Sequence, residues 1–242
     1  MGQVFDSNLY HSNLYHTPVY SVTDAARYLH IPVGTLRSWL HGREYPTKQG
    51  KQSFQPLIQR PRVDSPQISF TNLVEAHVLR SIRKVHGVRL DKVRNALDYL
   101  DQQFQIPHPL ARVEFQTDGV NLFVDSVGRL VNVSQSGQLA MKTVLKNLLA
   151  RVEWNDQGLA TRLFPTTRED AETSTLEAKT IAIDPRISFG RPMIIGTGIP
   201  TLAIAERYEA GESPESIAHD LNCEPSQIHD AIRFELVLSR AA

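Results

Sequence analysis

The stretch 22-VTDAARYLHIPVGTLRSWL-40 writes two short helices on either side of a tight turn. Ser21, with Asp24 three residues later, matches a capping box and predicts a helix start near Val22. Val22, Ala25, Ala26 and Leu29 then recur at helical spacing for two turns. Pro32 suits the opening of a second helix, where a missing N–H has no partner to lose. Leu36, Trp39 and Leu40 share one face at i, i+3 and i+4, leaving Thr35, Arg37, Ser38 and His41 outside. Helices this short do not persist alone. An inward tryptophan beside an outward arginine fits a helix-turn-helix, whose second helix enters a major groove. His30 occupies the turn, where glycine would adopt a left-handed backbone at lower cost.

The 242-residue chain is balanced, with 26 Lys/Arg against 26 Asp/Glu, but unevenly along its length. Residues 20–100 carry 13 basic and 6 acidic side chains, a net of +7; residues 201–242 carry 3 and 8, a net of −5. The front suits a polyanion and the rear a different partner. Between positions 43 and 67, Arg43, Lys48, Lys51, Arg60 and Arg62 stand against Glu44 and Asp64, and the prolines there exclude a helix interior. This predicts a basic wing whose cations meet phosphates, with Leu57–Ile58 pairing against Ile68–Ser69–Phe70. Helices are expected over Thr71–Val85, capped by Gly87, and over Leu90–Phe104, stopped at Ile106–Pro107.

From 110 to 133 the runs Val113–Phe115, Leu122–Val124 and Leu130–Val133 alternate with Thr117-Asp118-Gly119 and Ser126-Val127-Gly128, which predicts a small β meander. Leu139–Leu149 reads as a helix. Val152–Trp154 and Leu159–Leu163 pair across 155–158, and 165–180 has the composition of a linker. Three further helices follow. One spans Thr201–Ala210; a second is capped by Ser213 with Pro214 at its first position and closed by Asn222. The third opens at Pro225 and turns Ile228, Ala231, Ile232 and Leu236 inward. At −5 this second helix-turn-helix pattern would repel a duplex, so it is read as a protein-binding or dimerising domain.

Residues 20–104 resemble the winged helix-turn-helix of MerR-type regulators in Tyr20-Ser21-Val22, Ala25-Ala26, Thr35-Leu36-Arg37-Ser38-Trp39 and Gly87-Val88-Arg89-Leu90. The chain departs from them by leaving its helix at Pro107, and its single cysteine, Cys223, excludes a cysteine-based metal sensor. Asp184-Pro185, Gly190-Arg191-Pro192, Gly196-Thr197, Ile199-Pro200-Thr201 and Gly211-Glu212-Ser213 resemble a short bacterial domain of unknown function. That domain occurs behind a MerR-like domain in VapB-type antitoxins. Gly198 departs from the arginine usual there. The resemblance implies a homodimeric antitoxin that binds a PIN-like ribonuclease toxin and represses its own promoter by binding operator DNA. It also implies that Arg186, Arg191 or Arg233 reaches the metal-binding carboxylates of the toxin, or that Phe234 and Leu236 fill an apolar groove.

The class expected is therefore α+β and mostly α. A flexible arm (1–19) precedes a winged helix-turn-helix (20–106), a small middle domain of β meander plus helix (107–164), a linker (165–180) and a trihelical domain (181–242). The arm repeats Ser-Asn-Leu-Tyr-His at 7–11 and 12–16. No apolar run is long enough for a membrane span and no signal peptide is evident, which predicts a cytoplasmic protein. Gly196-x-Gly198 lacks the rest of a phosphate loop, no catalytic pairing stands out, and no cofactor or metal is expected. The alternative is a stand-alone regulator whose middle domain binds a small molecule.

Overall fold

The computed structural model describes residues 14–47, 50–86, 90–131, 134–166 and 178–240. A two-residue strand, β1 (Tyr20–Ser21), runs straight into helix α1 (Val22–Tyr28), and α2 spans Val33–His41. Ser21 caps α1: its oxygen accepts from the Asp24 amide at 3.0 Å and its hydroxyl donates to the Asp24 carboxylate at 2.7 Å. A cap of this kind stabilises a helix by about 1 kcal/mol. The turn closes with two nested bonds, Ile31 amide to Ala26 carbonyl at 2.8 Å and His30 amide to Arg27 carbonyl at 3.0 Å. This Schellman geometry puts one residue in the left-handed region, and His30 takes it at φ +50°.

The wing is built from residues other than those expected. β2 (Arg43–Thr47) and β3 (Gly50–Phe54) form an antiparallel hairpin, with Arg43 opposite Phe54. Segments 57–58 and 68–70 do not pair with each other. The amides of Leu57 and Ile58 donate to the Trp39 carbonyl at the end of α2. β4 (Gln67–Ile68) instead pairs with β1, Tyr20 opposite Ile68, and Phe70 already begins α3 (Phe70–His86). Pro46 disguised the hairpin in the sequence, yet both strands of a two-stranded ribbon are edges, where proline is tolerated. Gly42 lets β3 fold back on α2, because a Cβ there would stand 2.1 Å from the Phe54 carbonyl oxygen.

α4 (Leu90–Phe104) ends where expected. The β meander is absent, and helices replace it. A 3-10 turn (Pro109–Ala111) and a π-type turn (Phe115–Gly119) lead into α5 (Val120–Val131), followed by α6 (Gln135–Leu149). Val120, Phe123, Val124 and Val127 are all buried, at the i, i+3, i+4, i+7 spacing of one helix face. The glycines expected in turns are points of close approach instead. A Cβ on Gly119 would lie 2.8 Å from the Phe115 ring, and one on Gly128 would lie 2.6 Å from the Gln138 side chain. The hairpin of β5 (Val152–Trp154) with β6 (Ala160–Leu163) is present as expected. Among the described residues every sheet is two-stranded and most of the chain is helical.

The rear begins with β7 (Ile181–Ala182) paired to β8 (Met193–Ile194), then α7 (Thr201–Glu209), α8 (Pro214–Leu221) and α9 (Pro225–Arg240). Ser213 accepts from the Ser216 amide at 3.2 Å, and Asn222 closes α8 at φ +51°. Ile194, Ile204, Ile217, Ala218, Ile228, Ala231 and Ile232 make this unit's own core. Leu236, expected to face inward, is 41% exposed, whereas Phe234 is fully buried. Phe234 belongs to the larger core, which runs from Tyr15 through the helix-turn-helix and middle helices to Ile183. Leu163 and Ile183 exchange backbone bonds of 3.0 and 2.8 Å, so strand pairing also ties the rear to the middle. Among the described residues no helix is long and apolar enough to cross a membrane.

Candidate nucleic-acid interface

Helix α2 is pinned from beneath by Leu36, Trp39 and Leu40, each 2% exposed or less. Its opposite face carries Arg37 and His41, both exposed, with Thr35 and Ser38 half-buried beside them. Arg43 follows at once on β2 and is exposed; Arg60 is half-buried and Arg62 exposed. Arg37 and Arg43 have no ion-pair partner among the described residues. Arg60 donates to the Ser65 carbonyl at 2.9 Å, and Arg62 forms a two-pronged ion pair with Asp64 at 2.9 and 3.3 Å. Lys48 lies outside the described residues, as does the side chain of Lys51.

The His41 imidazole reports how closely these cations gather. Partial burial, then the charges of Arg60 and Arg37, hold its pKa below the ordinary histidine value. The ring is thus held toward neutrality by burial first and by these cations second. No local sequence pattern points to the residue that braces the hairpin from behind. Arg94, on α4, donates to the Gln55 carbonyl and lies 5.3 Å from the centre of the Phe54 ring. Cation–π contacts of this type contribute about 0.5–1 kcal/mol at exposed sites. The partners are forty residues apart, and no periodicity links them.

The residues expected to meet a protein partner separate into three situations. Arg186 bonds Asp184 at 2.9 and 2.7 Å, and Arg162 reaches the same carboxylate at 3.1 and 3.2 Å. Burial pushes the Asp184 carboxyl upward, but the Arg186 hydrogen bonds and charge, with the charge of Arg162, bring it below the usual carboxylate range. Arg233 pairs with Asp230 at 3.2 Å. Arg191 is exposed, without an ion pair among the described residues, and Leu236 is exposed. Phe234 corrects the expectation of a partner-facing groove: it packs edge-on against His30, ring centres 6.1 Å apart, inside this chain. His30 also bonds the Thr166 carbonyl at 3.1 Å, so the left-handed residue in the front turn is held by the rear of the molecule.

Comparison with known proteins bears on both ends. Residues 18–97 match a family described as "Putative DNA-binding HTH domain", and residues 181–234 match "Protein of unknown function (DUF433)". The front of the chain is thus similar to a helix-turn-helix family and the rear to a domain family of unknown function. The two-module chain is 28% identical over 230 residues to a Mycobacterium tuberculosis protein named "Putative antitoxin VapB45", covering 88% of this chain and 92% of that one. It is 23% identical over 222 residues to the uncharacterized protein Rv2308 of the same organism, covering 89% of each. In fold it is similar to the crystal structure of Rv2018 from M. tuberculosis, with a TM-score of 0.65 and 24% identity over 90% of this chain and 99% of that one.

Proposed function

We propose that this chain is a DNA-binding antitoxin: it neutralises a PIN-like ribonuclease toxin by direct contact and represses their shared promoter. The observation that carries the DNA half is the open face of α2, with Arg37 exposed, without an ion pair among the described residues, and followed by the exposed His41 and Arg43. On this reading Thr35, Arg37, Ser38 and His41 approach base edges in a MerR-like docking, while Arg43, Lys48, Lys51, Arg60 and Arg62 lie along phosphates. A homodimer sets two recognition helices about 34 Å apart on an inverted repeat. The toxin half rests on similarity to the antitoxin named above and on residues 181–242, where Arg191 and Leu236 stand exposed and Arg186 and Arg233 present guanidinium edges beside their carboxylates.

Gel shifts on the DNA upstream of the gene test the first half. Arg37→Ala is expected to weaken binding by about 1–3 kcal/mol if the guanidinium reads a base, and unchanged binding rejects the assignment. Co-expression with the neighbouring open reading frame tests the second: relief of growth arrest supports it, and persistent arrest counts against it. The cavity beside His108, lined by Glu75, Leu97 and Asp101, is about 140 Å³, well below the roughly 300 Å³ at which small-molecule sites begin.

A further inference from the structure

The loop before β8 carries an unusual cost. Ser188, Phe189 and Gly190 have φ of +50°, +55° and +72° in succession, and Phe189 is 91% exposed. A left-handed phenylalanine is strained, and an exposed ring recovers none of that cost by burial. The loop is nevertheless held firmly. The Ser188 hydroxyl donates to the Gly198 carbonyl at 2.5 Å, and a Cβ on Gly190 would stand 2.2 Å from the Tyr20 hydroxyl. That hydroxyl is buried under the loop with no hydrogen-bond partner among the described residues. Beside the projecting ring opens a cleft of about 350 Å³ between the helix-turn-helix and the DUF433 module, lined by Val19, Tyr20, Tyr28, Asp24 and Arg191 as well as Phe189 itself.

We propose that this cleft is the seat of a second copy of the chain, with Phe189 of each protomer entering the cleft of the other. An isologous contact needs every feature and its complement on one patch. This patch carries an aromatic knob beside an apolar hole; its wall also holds Arg191, which has no ion pair among the described residues, and Asp24, whose carboxylate meets Arg27 at 3.8 Å in the same chain. A purely acidic partner would match Arg191 but meet Asp24 with the wrong sign. The inference rests on the homodimer in the function proposed above, and it locates that interface on residues from both modules. The strain at Phe189 is then offset in the dimer, where the ring is buried.

Sedimentation velocity of the full-length chain over a concentration series tests this, with Phe189→Ala and Arg191→Glu alongside the unaltered protein. The expected result is a dimer whose dissociation constant rises about tenfold or more in Phe189→Ala, with the melting temperature unchanged at concentrations where both chains are monomeric, since the ring touches little in the isolated chain. Arg191→Glu sets a carboxylate against Asp24 of the other protomer and weakens the dimer as well. An unaltered chain that stays monomeric, or a Phe189→Ala chain that dimerises as tightly as the original, overturns the proposal. Loss of dimer in Phe189→Ala combined with DNA binding indifferent to Arg37→Ala would leave this interface standing and reject the DNA reading instead.

Discussion

The two helix-turn-helix patterns of this molecule share a backbone device and differ in what they do with charge. In both, the first helix ends in a Schellman turn with a left-handed residue, His30 after α1 and Asn222 after α8. In both, a serine cap starts that first helix. The cations diverge. In the rear, Arg207 is taken up by Glu212 and Asp220, and Arg233 by Asp230. In the front, Arg37 and Arg43 have no ion-pair partner among the described residues, and the charges of Arg60 and Arg37 act on His41. Identical local geometry thus serves an inward-looking electrostatic network at one end and an outward-looking one at the other. The front is also less self-sufficient. Asparagine tolerates the left-handed region readily, whereas His30 holds it while bonded to Thr166 and packed on Phe234.

This contrast predicts opposite phenotypes for charge removal. The largest effect is expected at Asp184, whose fully buried carboxylate collects two arginines. Asp184→Ala leaves Arg186 without a carboxylate and Arg162 with Glu153 alone, and should lower unfolding free energy by about 3 kcal/mol, read by denaturant titration. A loss under 1 kcal/mol would show that the rear ion pairs are ornamental and blur the contrast.

A smaller effect is expected in the shared interior at His77, on α3. Burial, then the charges of Arg80 and Arg151, push its pKa down to about 3. The unfolded chain takes up a proton near pH 6.5 that the folded chain refuses, so this residue contributes stability above pH 6.5 that is lost as pH falls toward 3. The loss is about 2 kcal/mol between pH 6 and 4 for one such proton. His77→Gln should flatten the acid limb of the stability curve by that much. A parallel curve would mean that the imidazole is charged in the fold or equally suppressed in both states.

Much of the fold is legible in the sequence wherever a local signal settles the matter. Ser21, Ser213, Pro214 and Asn222 mark helix ends where the structure has them, and Leu36, Trp39 and Leu40 identify the buried side of α2. Signals with two physical meanings are where it fails. Gly119 and Gly128 look like turn residues but are gaps that let side chains approach a helix, and the spacing of Val120, Phe123, Val124 and Val127 carried the better information. Pro46 hides a hairpin because proline excludes only interior strands. At the candidate site, the outward face of α2 follows from periodicity alone. Long-range partners do not: no local pattern says that Phe234 lies on a residue two hundred positions earlier, or that Phe189 stands in solvent.

The central claim is that the open cations of the front, and not the paired ones of the rear, engage DNA. The salt dependence of binding to the upstream duplex tests it most directly, comparing the unaltered chain with Arg43→Ala and Arg233→Ala. A plot of log K against log salt should be steep for the unaltered chain and shallower by about 0.9 for Arg43→Ala, with Arg233→Ala superimposing on the original. A slope near zero, or one that Arg233→Ala reduces and Arg43→Ala leaves intact, would contradict it.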